Sequence, residues 1–141
     1  MSNCKESLRS GKQQVPPRIC IYGGHGIGKS TLASQFPAPI FISTEDGIDS
    51  LDVTSFPKAG KIIDVVTSIK TLLKEDHDFK TVVVDSVDWL VEPLISASIN
   101  SQYDEKAQAY GKGQMYMAEE FREILQGLDA LRLKKDMNVV L

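Results

Sequence analysis

The chain has 141 residues, of which 42% are hydrophobic and 25% are charged, and its net charge at pH 7 is −3. This composition is ordinary for a globular domain and excludes a disordered, collagen-like or disulfide-framework protein. No apolar run reaches the roughly 18 residues that a membrane span needs, and residues 1–14 do not resemble a signal peptide. The two cysteines, Cys4 and Cys20, are expected to be free thiols in a reducing cytoplasm.

The order of elements along the chain predicts an α/β fold. Residues 1–15 are polar and are expected to form a flexible tail, and residues 16–141 to form the domain. Short apolar runs typical of buried strands lie at 18–22, 39–43, 81–85 and 138–141. Helical spacing is found at 29–36, 61–75, 87–99 (with Trp89 in the core) and 117–131, whereas 44–60 and 100–113 are predicted to be mostly loop. Alternating strands and helices indicate a parallel sheet covered on both faces, with right-handed crossovers.

A phosphate-binding motif follows the first predicted strand. The residues are Gly23, Gly24, His25, Gly26, Ile27, Gly28, Lys29, Ser30 and Thr31, and they fit GxxxxGK[ST] without a mismatch. Glycines let backbone N–H groups approach a phosphate chain, and the helix that follows directs its positive end at the anion. We expect Lys29 to contact the β- and γ-phosphates, Ser30 to bind Mg²⁺ and Thr31 to contact the α-phosphate, with His25 exposed at a variable position of the loop.

The third predicted strand ends in a carboxylate. Val82, Val83 and Val84 lead into Asp85, a pattern typical of a Walker B strand, in which the aspartate holds the hydration shell of Mg²⁺. The pattern alone is common, but an upstream phosphate loop makes this interpretation the favoured one. Ser86 is then expected to cap the next helix or to form a hydrogen bond near the γ-phosphate, and capping is the commoner role of such a serine.

A second carboxylate is a candidate for the catalytic base. The strand at 39–43 lies between the two motifs and is followed by Thr44, Glu45 and Asp46. A carboxylate at that strand end can orient and deprotonate an attacking water, so Glu45 is predicted to be catalytic together with Lys29. The alternative is that Glu45 and Asp46 are solvated loop acids, and we assign Asp46 to that class.

Other classes of phosphate-loop protein fit less well. The guanine-specifying NKxD motif is missing and Asp85 does not begin a DxxG motif, which favours adenine over guanine. No Arg-rich lid of the kind found in nucleoside kinases is visible. A small-molecule kinase nevertheless stays open as an alternative, as does a nucleotide-binding module without hydrolysis.

The ordered set of motifs resembles the RecA-like P-loop ATPases. Within these, Gly23–Ser30, the Ser-Thr-Glu45-Asp-Gly stretch and Tyr110-Gly-Lys-Gly are similar to the phage P-loop nucleotide-binding proteins that include single-strand-annealing recombinases. The resemblance covers residues 16–141 and implies a three-layer α/β/α fold. It also implies an ATPase that uses ATP and Mg²⁺ in DNA recombination and that forms homo-oligomers when full-length.

The resemblance carries two further expectations. The sheet order would be 1-4-3-2, with the fifth strand, the sensor residue and the second DNA-facing loop missing, so that we expect a truncated domain with strand 1 at an exposed edge. Residues 102–114 correspond to the first DNA-facing loop, where Tyr103, Lys106, Tyr110 and Lys112 combine aromatic faces with charge, as binding of single-stranded DNA requires. From the residues alone, a plain surface connector is the favoured reading of this loop, and robust DNA binding is not expected.

Overall fold

The computed structural model describes residue 8 and residues 10–141. Most of the predicted tail, and Cys4 with it, lies outside the described residues. The strands are β1 (Arg18–Ile19), β2 (Pro39–Ser43), β3 (Thr54–Ser55), β4 (Thr81–Asp85) and β5 (Asn138–Val140). The helices are α1 (Lys29–Ser34), α2 (Ile62–Lys74), α3 (Val87–Trp89), a π-helical segment (Leu90–Ile95), α4 (Ser96–Gln102) and α5 (Lys112–Lys135). Among the described residues, no helix is both long enough and apolar enough to cross a membrane.

All five strands pair in parallel, in the order β1-β5-β4-β2-β3. The four predicted strands therefore lie in the expected 1-4-3-2 order, and the α/β prediction is confirmed. The difference is β3, a two-residue strand that pairs with Ile40 and Phe41 inside a segment predicted to be mostly loop. Its residues are polar and exposed, so hydrophobic periodicity gives no signal for it.

One face of the sheet carries most of the core. Ile40, Ile42, Val82, Val84 and Val139 project from the strands into a cluster with the buried sides of α2, the π-helical segment and α5. The helices contribute residues that recur at helical spacing, among them Val65, Ile69, Leu72, Leu90, Ile124, Leu128 and Leu131. This face makes the sheet a stable platform for the residues at its carboxyl ends.

The opposite face is covered more thinly. Its buried cluster consists of Ala33 from α1 against Phe41, Val83 and Val140 of the strands. Because β1 pairs only with β5 among the residues that the structure describes, it forms one edge of the sheet, and Cys20 beyond it is exposed. The predicted buried character of strand 18–22 is therefore wrong, whereas its predicted edge position is confirmed.

The helical segment after β4 differs from its prediction. Trp89 is 49% exposed, so its assignment to the core is wrong, whereas Leu90, Leu94 and Ile95, which belong to the same apolar pattern, are buried as predicted. Pro93 has no backbone N–H to donate, and the segment around it is π-helical, which changes the angular position of successive side chains from that of a regular α-helix. The peptide bond between Asp85 and Ser86, just before this segment, is cis.

Candidate nucleotide-binding site

The carboxyl ends of the parallel strands bring the predicted motifs to one edge of the sheet. The phosphate loop connects the segment after β1 to α1, Glu45 follows β2, and Asp85 ends β4. In open parallel α/β sheets, ligands bind outside this edge. The fold therefore gathers residues that are far apart in sequence into one region.

The phosphate loop is a tight turn that needs glycine at defined positions. Gly26 (φ 76°) and Gly28 (φ 100°) have left-handed backbones, and Gly28 is the N-cap of α1. A side chain is strained in that conformation. Glycine at these positions therefore lets the loop turn sharply into the helix without backbone strain, although an added Cβ would meet no atom within 4 Å at either position.

Lys29 closes the loop on itself. Its Nζ atom donates to the carbonyl oxygens of Gly23 at 2.9 Å and Gly24 at 2.8 Å. The positive charge is thus held beside the loop backbone and the first turn of α1. A cation beside a positively polarised helix end is suited to a polyanion such as a phosphate chain.

Ser30 connects the two predicted motifs. Its Oγ atom donates to Oδ2 of Asp85 at 2.5 Å, although the two residues are 55 positions apart. Both side chains are partly buried. A hydroxyl and a carboxylate oxygen therefore converge where the resemblance assigns the metal.

These two oxygens fit the metal that the fold family implies. Mg²⁺ takes oxygen ligands and usually keeps several waters, so that one or two protein oxygens together with phosphates are enough to hold it. The pair of Ser30 and Asp85 supplies oxygen donors only, and it lies next to the phosphate loop. The donor set suits Mg²⁺ better than a metal that prefers nitrogen or sulfur.

Glu45 is half-buried and is placed by the residue before it. Ser43 pairs with Asp85 at the last register position between β2 and β4. Thr44 then donates its backbone N–H to the Asp85 carbonyl at 2.9 Å. Its Oγ1 atom donates to the carbonyl oxygen of Ser86 at 2.7 Å and accepts from the Ser86 N–H at 2.9 Å. Glu45 therefore follows directly on a tight connection between the ends of two strands.

A cleft of about 270 Å³ opens beside this edge. The residues that line it include Tyr22, Gly23, Lys29, Ser30 and Asp85. Its walls include both members of the hydrogen-bonded Ser30–Asp85 pair and the loop lysine. The cleft therefore joins the two motifs into one concave surface.

The other predicted loop residues are accessible. His25, Ile27 and Thr31 are exposed. Asp46 forms an ion pair with Lys58 at 2.8 Å on the surface. Thr44 is the residue that sequence reasoning missed, because its partners are about 40 positions away and only the strand register reveals them.

The predicted DNA-facing segment divides into two parts. Tyr103 stacks on Tyr116 with ring centroids 4.1 Å apart, so one of its faces is covered. Tyr110 is fully exposed with a left-handed backbone (φ 56°), and Lys106 is exposed as well. Lys112 is exposed in the first turn of α5, which begins earlier than predicted, after the left-handed Gly111.

Comparison with known proteins identifies the family. Comparisons with curated proteins and with solved structures give no match. Residues 15–141 match the family model described as "AAA domain". This match covers nearly the whole chain and agrees with the phosphate loop, the parallel sheet and the strand-end carboxylate. The chain therefore belongs to the AAA domain family and is a nucleotide-binding module of the ATPase type.

Proposed function

We propose that this protein binds ATP with Mg²⁺ and hydrolyses it to ADP and phosphate. The observation that carries the proposal is the hydrogen bond between Ser30 and Asp85, which joins the phosphate loop to the strand-end carboxylate. A glycine-rich turn with a chance Lys-Ser pair would have no reason to meet an aspartate 55 residues away. Membership of the AAA domain family supports the same class of chemistry.

The loop residues bind the phosphates. Backbone N–H groups between Gly23 and Thr31 surround the chain, and the Lys29 ammonium exchanges its bonds to the Gly23 and Gly24 carbonyls for bonds to β- and γ-phosphate oxygens. The exchange replaces two neutral acceptors by charged ones, which form stronger hydrogen bonds. Lys29 thereby orients the terminal phosphate and stabilises the charge that moves onto it.

Ser30 and Asp85 are the residues that would hold Mg²⁺, Ser30 directly and Asp85 through water. When bound, the ion neutralises phosphate charge and aligns the β- and γ-phosphates. Asp85 also orients the Ser30 hydroxyl by accepting its proton in a hydrogen bond. Because the serine proton points at Asp85, the lone pairs of the serine oxygen point away from the aspartate.

Glu45 is the proposed general base. Its carboxylate accepts a proton from a water molecule while the water oxygen forms a bond to the γ-phosphorus and the bond from that phosphorus to the β–γ bridging oxygen breaks. The leaving ADP takes the electron pair of the broken bond. A half-buried carboxylate at the same sheet edge as the phosphate loop is suited to this role.

Two variants test the proposal. Titration calorimetry with MgATP is expected to detect binding by the wild-type chain and by Glu45→Gln, but not by Lys29→Ala. Phosphate release at millimolar ATP is expected at the full rate from the wild type, at a small residual rate from Glu45→Gln and not at all from Lys29→Ala. Binding without phosphate release by the wild type would favour the non-hydrolysing module, and transfer of phosphate to a nucleoside or metabolite would favour a kinase.

We also propose that the ATPase acts on single-stranded DNA, as the core of a phage-type recombination or annealing protein. The support is the exposed segment in which Tyr110 projects fully into solvent between the exposed Lys106 and Lys112. An aromatic face flanked by cations suits bases and phosphates of a single strand. Asp104 and Glu105 reduce the positive field, so the expected affinity is low and sensitive to salt.

A further inference from the structure

Thr44 makes three hydrogen bonds that join the end of β2 to the exit of β4. Its N–H donates to the Asp85 carbonyl, and its hydroxyl both donates to and accepts from the backbone of Ser86. The Ser86 carbonyl also accepts the N–H of Leu90 at 3.0 Å. Thr44 is thus connected to the strand end through its backbone N–H, and its side chain is connected to Ser86, whose carbonyl accepts from the first turn of the following helical segment.

The position of these bonds determines what they control. The regular ladder between β2 and β4 ends at the pair Ser43 and Asp85, and Thr44 extends the pairing of the two strands by one residue. Thr44 is 2% exposed, so water cannot easily replace the lost partners if its hydroxyl is removed. Thr44 immediately precedes Glu45 in the sequence, and the backbone to which it bonds is that of Asp85 and Ser86.

We infer that Thr44 is a positioning residue, which holds the Glu45 carboxylate in a fixed relation to the Asp85–Ser30 pair. This inference rests on the proposed function, because it assumes that Glu45 acts on the attacking water. The hydrogen bonds of Thr44 run to the exit of β4 and not to the phosphate loop. Removing the Thr44 hydroxyl should therefore lower the rate of the chemical step and leave nucleotide affinity nearly unchanged.

The test compares Thr44→Val with a matched control, Thr81→Val. Thr81 is also fully buried, and its Oγ1 atom donates to the Pro37 carbonyl at 2.8 Å. It is the first residue of β4 and pairs with the first residue of β2, so it lies at the end of these strands that is opposite to Thr44. Both variants lose a buried hydroxyl and keep the side-chain volume. Any general effect of destabilising the sheet is therefore common to the two.

For Thr44→Val, kcat is expected to fall by about ten- to a hundredfold, because small displacements of catalytic groups cause rate losses of this size. The MgATP dissociation constant should stay within about threefold of the wild-type value, because the phosphate-loop residues that bind the nucleotide are unchanged. Thr81→Val should keep kcat once rates are corrected for the folded fraction, and Thr44→Ser, which restores the hydroxyl, should recover most of the lost rate. If Thr44→Val does not fold, Thr44→Cys keeps a side chain of similar size with only a weak hydrogen-bonding group and is expected to show the same loss of kcat.

A double-mutant cycle with Glu45→Gln completes the experiment. If Thr44 acts through Glu45, adding Thr44→Val to Glu45→Gln should lower kcat no further. Equal rate losses in Thr44→Val and Thr81→Val, or a loss of MgATP affinity at unchanged kcat, would overturn the inference. Full activity of Glu45→Gln, or a wild type without hydrolysis, would instead refute the proposed base, so the two failures give different patterns.

Discussion

Asp85→Asn is expected to remove most of the increase in ATP affinity that Mg²⁺ provides. The substitution keeps the shape of the side chain and retains an oxygen that accepts the Ser30 hydroxyl, but it removes the negative charge. The Ser30–Asp85 bond is partly buried and charge-assisted, and such bonds contribute about 1.5–3 kcal/mol each. Because the neutral acceptor is roughly half as strong, the free energy of unfolding should fall by only about 1 kcal/mol.

The effect on the metal should be larger than the effect on the fold. Losing a carboxylate that interacts with a cation, at about 1.5–3 kcal/mol, corresponds to a factor of about ten to a hundred in a binding constant. The quantity to measure is the ratio of ATP dissociation constants in EDTA and in Mg²⁺, obtained by titration calorimetry. In the wild type this ratio should exceed that of Asp85→Asn by about tenfold or more.

Asp76→Asn is the control for net charge. It makes the same chemical change at an exposed position between α2 and β4, at a residue that does not line the cleft. Its ratio should stay within about twofold of the wild type, because exposed charges are screened by solvent and salt. An unchanged ratio in Asp85→Asn, or an equal change in both variants, would refute the assignment of Asp85 to the metal.

Three further substitutions test the core, the loop and the exposed segment. Leu128→Ala, at a fully buried position of α5, should lower the free energy of unfolding in urea by about 2–5 kcal/mol; a loss below 1 kcal/mol would contradict the packing described. Gly28→Ala should lower that free energy by about 1–2 kcal/mol because of its φ of 100°, whereas Gly24→Ala, whose added Cβ has only Ile27 at 4.0 Å, should be nearly neutral, and equal effects would count against backbone strain. Tyr110→Ala should weaken the binding of fluorescent oligothymidylate, followed by anisotropy, by about five- to a hundredfold, while stability stays within about 0.5 kcal/mol; unchanged affinity would exclude a stacking role.

The parts of the fold that could be predicted are those with a local signal. Pro39–Ser43 and Thr81–Asp85 are strands with the expected bounds, because each is a short β-branched or aromatic run buried on both faces. The phosphate loop is equally local, since its spacing and its flanking elements are all contained in about 15 residues. The strand order, by contrast, came from the resemblance, because periodicity says nothing about which strands are neighbours.

The parts that could not be predicted depend on contacts distant in sequence. Trp89 fits the same apolar helical pattern as Leu90, but in the structure Leu90 is buried and Trp89, the last residue before the π-helical segment, is exposed. The strand Thr54–Ser55 has no apolar pattern and exists because the edge of β2 offers it partners. Thr44 is a polar residue between a strand and an acid, and nothing in its local sequence reveals that it bonds to Ser86.

The two faces of the sheet differ in the size of their buried clusters. The face with α2 and α5 holds the large buried cluster, whereas the face beneath the phosphate loop holds four buried residues, with α1 only six residues long. A short helix buries too little apolar surface to fix the loop by packing alone, so Ser30 must be held by its bond to Asp85, which the large core anchors through β4. The extensively packed side of the sheet thus positions Asp85, whereas the phosphate loop lies on the side with fewer buried contacts and is connected to β4 through the Ser30–Asp85 bond.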